Sequence, residues 1–228
     1  MPVEERLVEI RDGTKLLMRP IEPTDKEALA SGFDHMSPES RYRRFFAPIN
    51  RLSRMDLRYL TEVDHHNHEA IIAFDPGSLE TVGVARFVRS PEPALAEVAV
   101  TVIDDWQGRG VATAILEQLV ERAHEEGIEA FVAIILEEND AAIELFESLA
   151  ANEPSPRRKD GNLELLIELP REDAVSGSTL GRALQAAAKG VPMNPWNLLK
   201  HRVQQTAEHI VPDEDDLAEM RGEDTPEA

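Results

Sequence analysis

Glu97-Val98-Ala99-Val100-Thr101-Val102-Ile103, Asp104-Asp105-Trp106 and Gln107-Gly108-Arg109-Gly110-Val111-Ala112-Thr113 follow one another near the middle of the chain. Strand-like apolar residues give way to a turn with two glycines, and the turn opens a segment of helical period. Val111, Ala112, Ile115, Leu116, Leu119, Val120 and Ala123 form one apolar stripe, which predicts a helix over 109–126 ended by Gly127. Amides at a helix start lack intrahelical acceptors and sit at the positive end of the dipole, so they attract anions. Glycines at 108 and 110 let the backbone approach a phosphate without an intervening side chain. Small Ala112 keeps the first turn open. The guest that suits such a turn is a pyrophosphate.

Upstream, strands are expected at 69–74, 81–89 and 96–103, separated by Asp75-Pro76-Gly77 and Ser90-Pro91-Glu92-Pro93. Before them, 5–10 and 15–20 flank Arg11-Asp12-Gly13-Thr14, whose Asp-Gly pair predicts a hairpin. Thr24-Asp25-Lys26-Glu27 reads as a capping box opening a helix through about Phe33. Ser37-Pro38 starts a second helix over 38–46, and 53–62 a third. Downstream come a buried strand at 130–136, a helix at 140–150 and a weak hairpin closing with 163–169. After Pro170, Ser176-Gly177-Ser178 reads as a linker, helices are expected at 180–189 and 196–211, and the acidic end as frayed. The expected organisation is one domain over 1–170 and a helical extension over 171–228, which packs on the domain or joins two copies in a homodimer.

The 228 residues are 42% hydrophobic, enough for a core. The longest apolar run, 130–136, is far short of the roughly eighteen residues of a membrane span. No charged-then-apolar leader opens the chain, so a cytoplasmic location is expected. With no cysteine, disulfides, thiolate metal sites and a covalent thioester on the protein are excluded, and any acyl transfer must be direct. The net charge of −20 argues against nucleic acid and anionic membranes as partners. It fits a solvated acidic shell or attraction of a cationic substrate.

Three phosphate-binding patterns compete for the central turn. A nucleotide P-loop needs Gly-Lys-Ser/Thr, and Val111-Ala112-Thr113 has no lysine. A dinucleotide fingerprint fits Gly108-x-Gly110 loosely, but the turn follows an alternating mid-chain strand set, not a first βαβ unit. The coenzyme A pattern Gln/Arg-x-x-Gly-x-Gly/Ala is met at every position by Gln107-Gly108-Arg109-Gly110-Val111-Ala112. On this motif the chain resembles the GNAT acetyltransferases over about residues 6–170. Arg11-Asp12-Gly13-Thr14, Met18-Arg19-Pro20-Ile21, the segment from Ser37 to Phe46 and Leu60-Thr61-Glu62-Val63-Asp64-His65-His66 resemble the catalytic domain of bacterial Pat-type protein lysine acetyltransferases.

The resemblance implies an α/β (α+β) GNAT fold: a mixed, mostly antiparallel twisted sheet flanked by helices. It implies acetyl-CoA as co-substrate, no metal, and a primary amine as acceptor, either a protein lysine or a small molecule. Backbone amides of Gln107, Gly108, Arg109, Gly110, Val111 and Ala112, with Thr113, are implied to hold the pyrophosphate. Val100, Thr101 and Val102 are implied to pair with the pantetheine arm at a splayed strand edge, and Asn139 to contact it. Where the family often has a tyrosine that protonates the leaving thiolate, this chain has Phe146, so water is left as the acid. No nucleotide-sensing domain precedes this one, so cyclic-nucleotide control is expected to be absent.

Glu97 stands where these enzymes often place their base. A lysine amine must lose a proton before it attacks, which costs about 4 to 5 kcal/mol at neutral pH, so a carboxylate is useful there. The competing reading is a strand-edge glutamate bonded to an arginine such as Arg86. Asp64-His65-His66-Asn67-His68 reads as a polar turn, with acceptor contact and a metal site as weaker readings, since no further ligands stand at metal spacing. Arg41, Arg43 and Arg44 with Tyr42, Phe45 and Phe46 read as a helix that buries aromatics and solvates arginines, or else binds an anion. The rival to an enzyme is a non-catalytic acyl-CoA sensor or partner-binding module on the same fold.

Overall fold

Each strand of the sheet is held in place by where its neighbour's apolar residues must go. The computed structural model describes residues 5–159 and 161–170. The expected linker, the helices at 180–189 and 196–211 and the extension as a whole lie outside the described residues.

In chain order the elements are β1 (Arg6–Glu9), β2 (Lys15–Pro20), α1 (Lys26–Asp34), α2 (Pro38–Phe45), α3 (Arg54–Thr61), β3 (His68–Phe74) and β4 (Thr81–Arg89). Then follow β5 (Leu95–Val102), α4 (Val111–Glu125), β6 (Ala130–Leu136), α5 (Asp140–Leu149), β7 (Ser155–Lys159) and β8 (Asn162–Glu168). The strands form one eight-stranded sheet in the order β1-β2-β3-β4-β5-β6-β8-β7. Every pairing is antiparallel except β5 with β6. That exception follows from connectivity: α4 is a crossover between the two strands, and a crossover returns the chain in the same direction.

Alternation sorts the residues to the two faces. Ile71 and Ala73 of β3, Phe87 of β4 and Ala96 and Val98 of β5 join Ile115, Leu116, Leu119 and Val120 of α4 in the main core. Ala70, Ile72 and Phe74 of β3 and Val84 of β4 form a second cluster on the opposite face, with Ala28 and Leu29 of α1. The middle of the sheet is therefore buried on both sides. Along β5 the even residues through Val100 and Val102 face the main core. By the same period Glu97, Ala99 and Thr101 face α1–α3.

The helix starts are set by side chains. Ser37 caps α2 by accepting from the Ser40 amide at 3.2 Å. Ser53 and Asp56 form a reciprocal box at the start of α3. The start before α1 differs from expectation. Asp25, not Glu27, closes the turn by accepting from the Glu22 amide at 2.7 Å. The reason is Arg19, whose guanidinium grips both oxygens of Asp25 at 2.6 and 2.7 Å and draws that carboxylate inward. Among the described residues no helix is long and apolar enough to cross a membrane.

Candidate active site

β5 and β6 pair only from Leu95↔Ala130 to Val98↔Ala133. Beyond that point β5 keeps β4 as its partner as far as Val102↔Gly83. β6 keeps β8 as far as Leu136↔Asn162. The two strands thus part, and the stretch from Ala99 to Val102 has no ladder partner on its β6 side among the described residues. A splayed edge of this kind leaves backbone groups needing partners. Val100, Thr101 and Val102 all lie on it and are half-buried.

Directly after β5 a 3-10 turn, Asp104–Trp106, leads into the glycine turn. Gly108 has φ +71° and Gly110 φ +97°, conformations that L side chains resist. Gly110 is the N-cap of α4, and with no side chain of its own it leaves the first-turn amides of Val111, Ala112 and Thr113 uncapped by it. There is no acidic residue in that first turn to oppose an anion. The Gln107 amide already donates to the Asp104 carbonyl at 3.2 Å. Its side chain donates to the Val102 carbonyl at 3.1 Å and to Ser40 Oγ at 3.3 Å, tying β5 to α2.

The turn is braced from behind in a way the sequence reading missed. Arg109 Nε donates to Asp12 Oδ2 at 2.7 Å, and its Nη2 donates to Thr14 Oγ1 at 2.8 Å. The same guanidinium lies 4.1 Å over the Trp106 ring. Arg11 donates to the Gly108 carbonyl at 3.3 Å. Hydrogen bonds from Arg109 and Thr14 hold the Asp12 carboxyl at a pKa of about 2. The β1–β2 turn therefore fixes the Arg109 side chain and the Gly108 carbonyl of the loop. On the other flank Asp104 accepts from the Ser37 amide and hydroxyl and the Ser40 hydroxyl at 2.8 to 2.9 Å. Burial opposes the charge on Asp104, but these bonds outweigh it and lower its pKa.

Glu97 is half-buried on the α1–α3 face, where its charge is felt by the Arg44 guanidinium. Arg86 is not its hydrogen-bond partner: that side chain donates to His68 Nε2 at 3.0 Å and to the Leu60 carbonyl at 3.2 Å. Asn139 caps α5 through Oδ1, which accepts from the Ala142 amide at 3.3 Å. Phe146 is 3% exposed and belongs to the main core.

The three histidines of the 64–68 segment take separate partners. Asp64 ties the turn by accepting from the amides of His66, Asn67 and His68. His65 Nδ1 meets Glu69 at 2.8 Å, and His66 Nδ1 meets Glu126. Among the described residues no group of three His, Cys, Asp or Glu side chains could hold a metal ion. Arg41 and Arg44 depart from the expected solvated face. Arg41 stacks 4.4 Å over Phe33 and donates to the Asn50 carbonyl, and Arg44 turns toward the sheet.

A parallel strand pair that opens at its C-terminal end, with a glycine turn and an uncapped helix start at the opening, presents unpaired backbone groups to a guest. Residues 34–150 match the Acetyltransferase (GNAT) family, and the chain belongs to that family. It is 35% identical over 145 residues to acetyltransferase Pat of Mycolicibacterium smegmatis, covering 63% of this chain and 43% of that protein. An acetyltransferase of Pseudomonas aeruginosa is 30% identical over 125 residues, 54% of this chain and 67% of that protein. The chain thus spans less than half of the Pat relative. Among solved structures, the GNAT domain of S. lividans PAT superposes with a TM-score of 0.67 at 35% identity, covering 72% of this chain and 97% of that domain.

Proposed function

We propose that this chain is an N-acetyltransferase that moves an acetyl group from acetyl-CoA to a primary amine by direct transfer in a ternary complex. The observation that carries this reading is the juxtaposition of the uncapped start of α4 with the unpaired edge of β5. The amides from Gly108 to Ala112, with Thr113, hold the coenzyme pyrophosphate, and Gln107 braces them. Val100, Thr101 and Val102 pair with the pantetheine arm in the opening, with Asn139 and Phe146 on its β6 side. Membership of the family and the match to Pat relatives support this arrangement.

In the reaction the amine first gives up its proton with help from Glu97. The neutral nitrogen attacks the thioester carbonyl carbon, whose oxygen is polarised by a β5 amide near Val100 or Val102. The new C–N bond forms, the C–S bond breaks, and the thiolate leaves. Phe146 has no proton to give, so a water passes the proton that the acylated nitrogen loses to the departing thiolate, which leaves a neutral amide and the CoA thiol. The resemblance to Pat-type enzymes supports a protein lysine as acceptor.

Isothermal titration with acetyl-CoA tests the coenzyme assignment. Micromolar binding is expected, and a folded protein that shows none refutes it. Release of CoA on adding an amine panel separates the enzyme from a binding module, which would take up the thioester without turnover.

A further inference from the structure

The segment that leads from β5 into the glycine turn is also the seat of α2. Asp104 lies 67 residues along the chain from Ser37, yet both of its carboxylate oxygens accept from the start of that helix. Oδ2 takes the Ser37 amide at 2.8 Å, and Oδ1 takes the Ser37 hydroxyl at 2.8 Å and the Ser40 hydroxyl at 2.9 Å. Gln107 Nε2 closes the joint from the other side, donating to Ser40 Oγ at 3.3 Å and to the Val102 carbonyl at 3.1 Å. Ile103 and Trp106, on either side of Asp104, pack with Phe33, Met36 and Phe45 in one apolar cluster. The Trp106 ring also carries the Arg109 guanidinium of the glycine turn. Polar and apolar contacts thus tie α2 to the residues that frame that turn.

Capping alone does not account for this joint. α2 already has Ser37 Oγ accepting from the Ser40 amide and Pro38 at its first position, which suffice to start a helix. Asp104 adds a negative charge at the positive end of the helix dipole. Through three charge-assisted bonds it also adds a tie to another part of the chain. The helix so tied carries Arg44, which stands beside Thr101 on the sheet and feels the Glu97 charge. We propose that Asp104 is a positioning residue, which couples acetyl-CoA on the glycine turn to the placement of α2 on the acceptor side of the sheet. This assignment rests on the reading of the turn as the coenzyme site. A guest on the amides of 108–112 restrains Gln107, Arg109 and Trp106, and through Ser40 and Asp104 the restraint reaches α2. The loaded protein therefore offers its acceptor a better ordered wall than the free protein does.

The test is hydrogen–deuterium exchange of the full chain with and without saturating acetyl-CoA, read at the amides of Tyr42 to Phe46, beyond the joint itself. Coupling between two sites is typically worth about 5- to 150-fold, and exchange at these amides is expected to slow by a factor in that range when acetyl-CoA binds. Asp104→Ala should bring the ratio of free to loaded rates toward one. Ser40→Ala should lower the ratio in part, alanine being the best helix former, and Ser40→Thr, which keeps a hydroxyl, should preserve it. A carboxylate that only stabilised α2 would, once removed, speed exchange equally in both states and leave the ratio as it was. So would a coenzyme that touches α2 directly. An unchanged ratio in Asp104→Ala, or in Ser40→Ala should the first variant not fold, would therefore overturn the proposal. A parent protein that binds acetyl-CoA by calorimetry with no change at α2 would overturn it as well. Absence of acetyl-CoA binding would strike the coenzyme assignment first, and this proposal with it.

Discussion

Two glycines in one turn give a prediction in which stability and binding come apart. Gly108 and Gly110 both have positive φ, +71° and +97°. An alanine at either must hold a left-handed conformation, which costs about 1–2 kcal/mol. Their surroundings differ. A Cβ at 108 meets nothing within 4 Å, whereas one at 110 meets Arg11 Cβ at 3.2 Å and Arg11 N at 3.4 Å. Gly108→Ala therefore costs strain alone, and its new methyl stands on the open side of the loop, where the pyrophosphate is proposed to lie. Gly110→Ala carries the same strain and also pushes on the β1–β2 turn. For a protein of this size, 1 kcal/mol moves the melting temperature by about 2–4 °C. Gly108→Ala should lower it by roughly 2–8 °C and Gly110→Ala by more. If the loop relaxes to relieve the strain, acetyl-CoA affinity should fall by roughly 5- to 30-fold in Gly110→Ala. In Gly108→Ala the loss of affinity should be at least as large despite the smaller loss of stability. Differential scanning fluorimetry and titration calorimetry measure the two quantities. If both variants bind acetyl-CoA like the parent while melting earlier, the loop is structural and the reasoning fails.

Glu97→Gln should lower turnover by roughly 100-fold or more, with acetyl-CoA affinity within about twofold of the parent because the change lies off the glycine turn proposed to hold the pyrophosphate; steady-state kinetics and calorimetry check this, and unchanged turnover removes Glu97 as base. Glu69 is fully buried and accepts from Arg122 Nε at 3.1 Å. Glu69→Gln should destabilise the fold by about 3 kcal/mol, the low end for a broken buried pair, because Arg122 keeps Glu125 and Glu126. Urea denaturation measures it. His68 has a folded pKa of about 4 against an ordinary 6.5. Between those values the unfolded chain binds more protons, so stability should fall as pH drops from 6.5 to 4. The slope of melting temperature against pH in that window should flatten in His68→Gln.

Most of the order of elements could be read from local pattern because local forces decide it. The α4 stripe from Val111 to Ala123 admits one helix, and Ala130–Leu136 was expected at the bounds it has. Ser37-Pro38 begins a helix in any context that leaves the serine free to cap. The reading slipped where a distant residue competes. Thr24 and Glu27 had the spacing of a capping box, but Arg19 claims Asp25 and moves the closure two residues back. Half of the motif's support was likewise invisible. The brace on the glycine turn joins Asp12 to Arg109, 97 residues apart in the chain, and neither residue's neighbours announce the other. One signal was present: an aspartate in a hairpin turn and an arginine in a glycine turn both belonged to the segments on which the family resemblance rests.

The opening between β5 and β6 shows why the site as a whole exceeds its motif. Nothing within Leu95–Val102 says that pairing with β6 stops at Val98. Past that point each strand follows its own antiparallel partner, β5 staying with β4 through Val102 and β6 with β8 through Leu136. Twist accumulates between neighbouring strands, and the α4 crossover closes the pair at its start while the glycine turn diverts the chain at its end. An opening made this way is rigid, since both walls are interior strands of one sheet. The loop above it is rigid for a separate reason, the Asp12–Arg109 brace. Two independent supports converge on a space that contains unpaired backbone groups, and such groups are costly unless water or a guest meets them. Preorganisation of that kind lowers the ordering cost of binding an extended ligand, which is the physical ground for seating a long thioester here and bringing its reacting carbon to the face that carries Glu97.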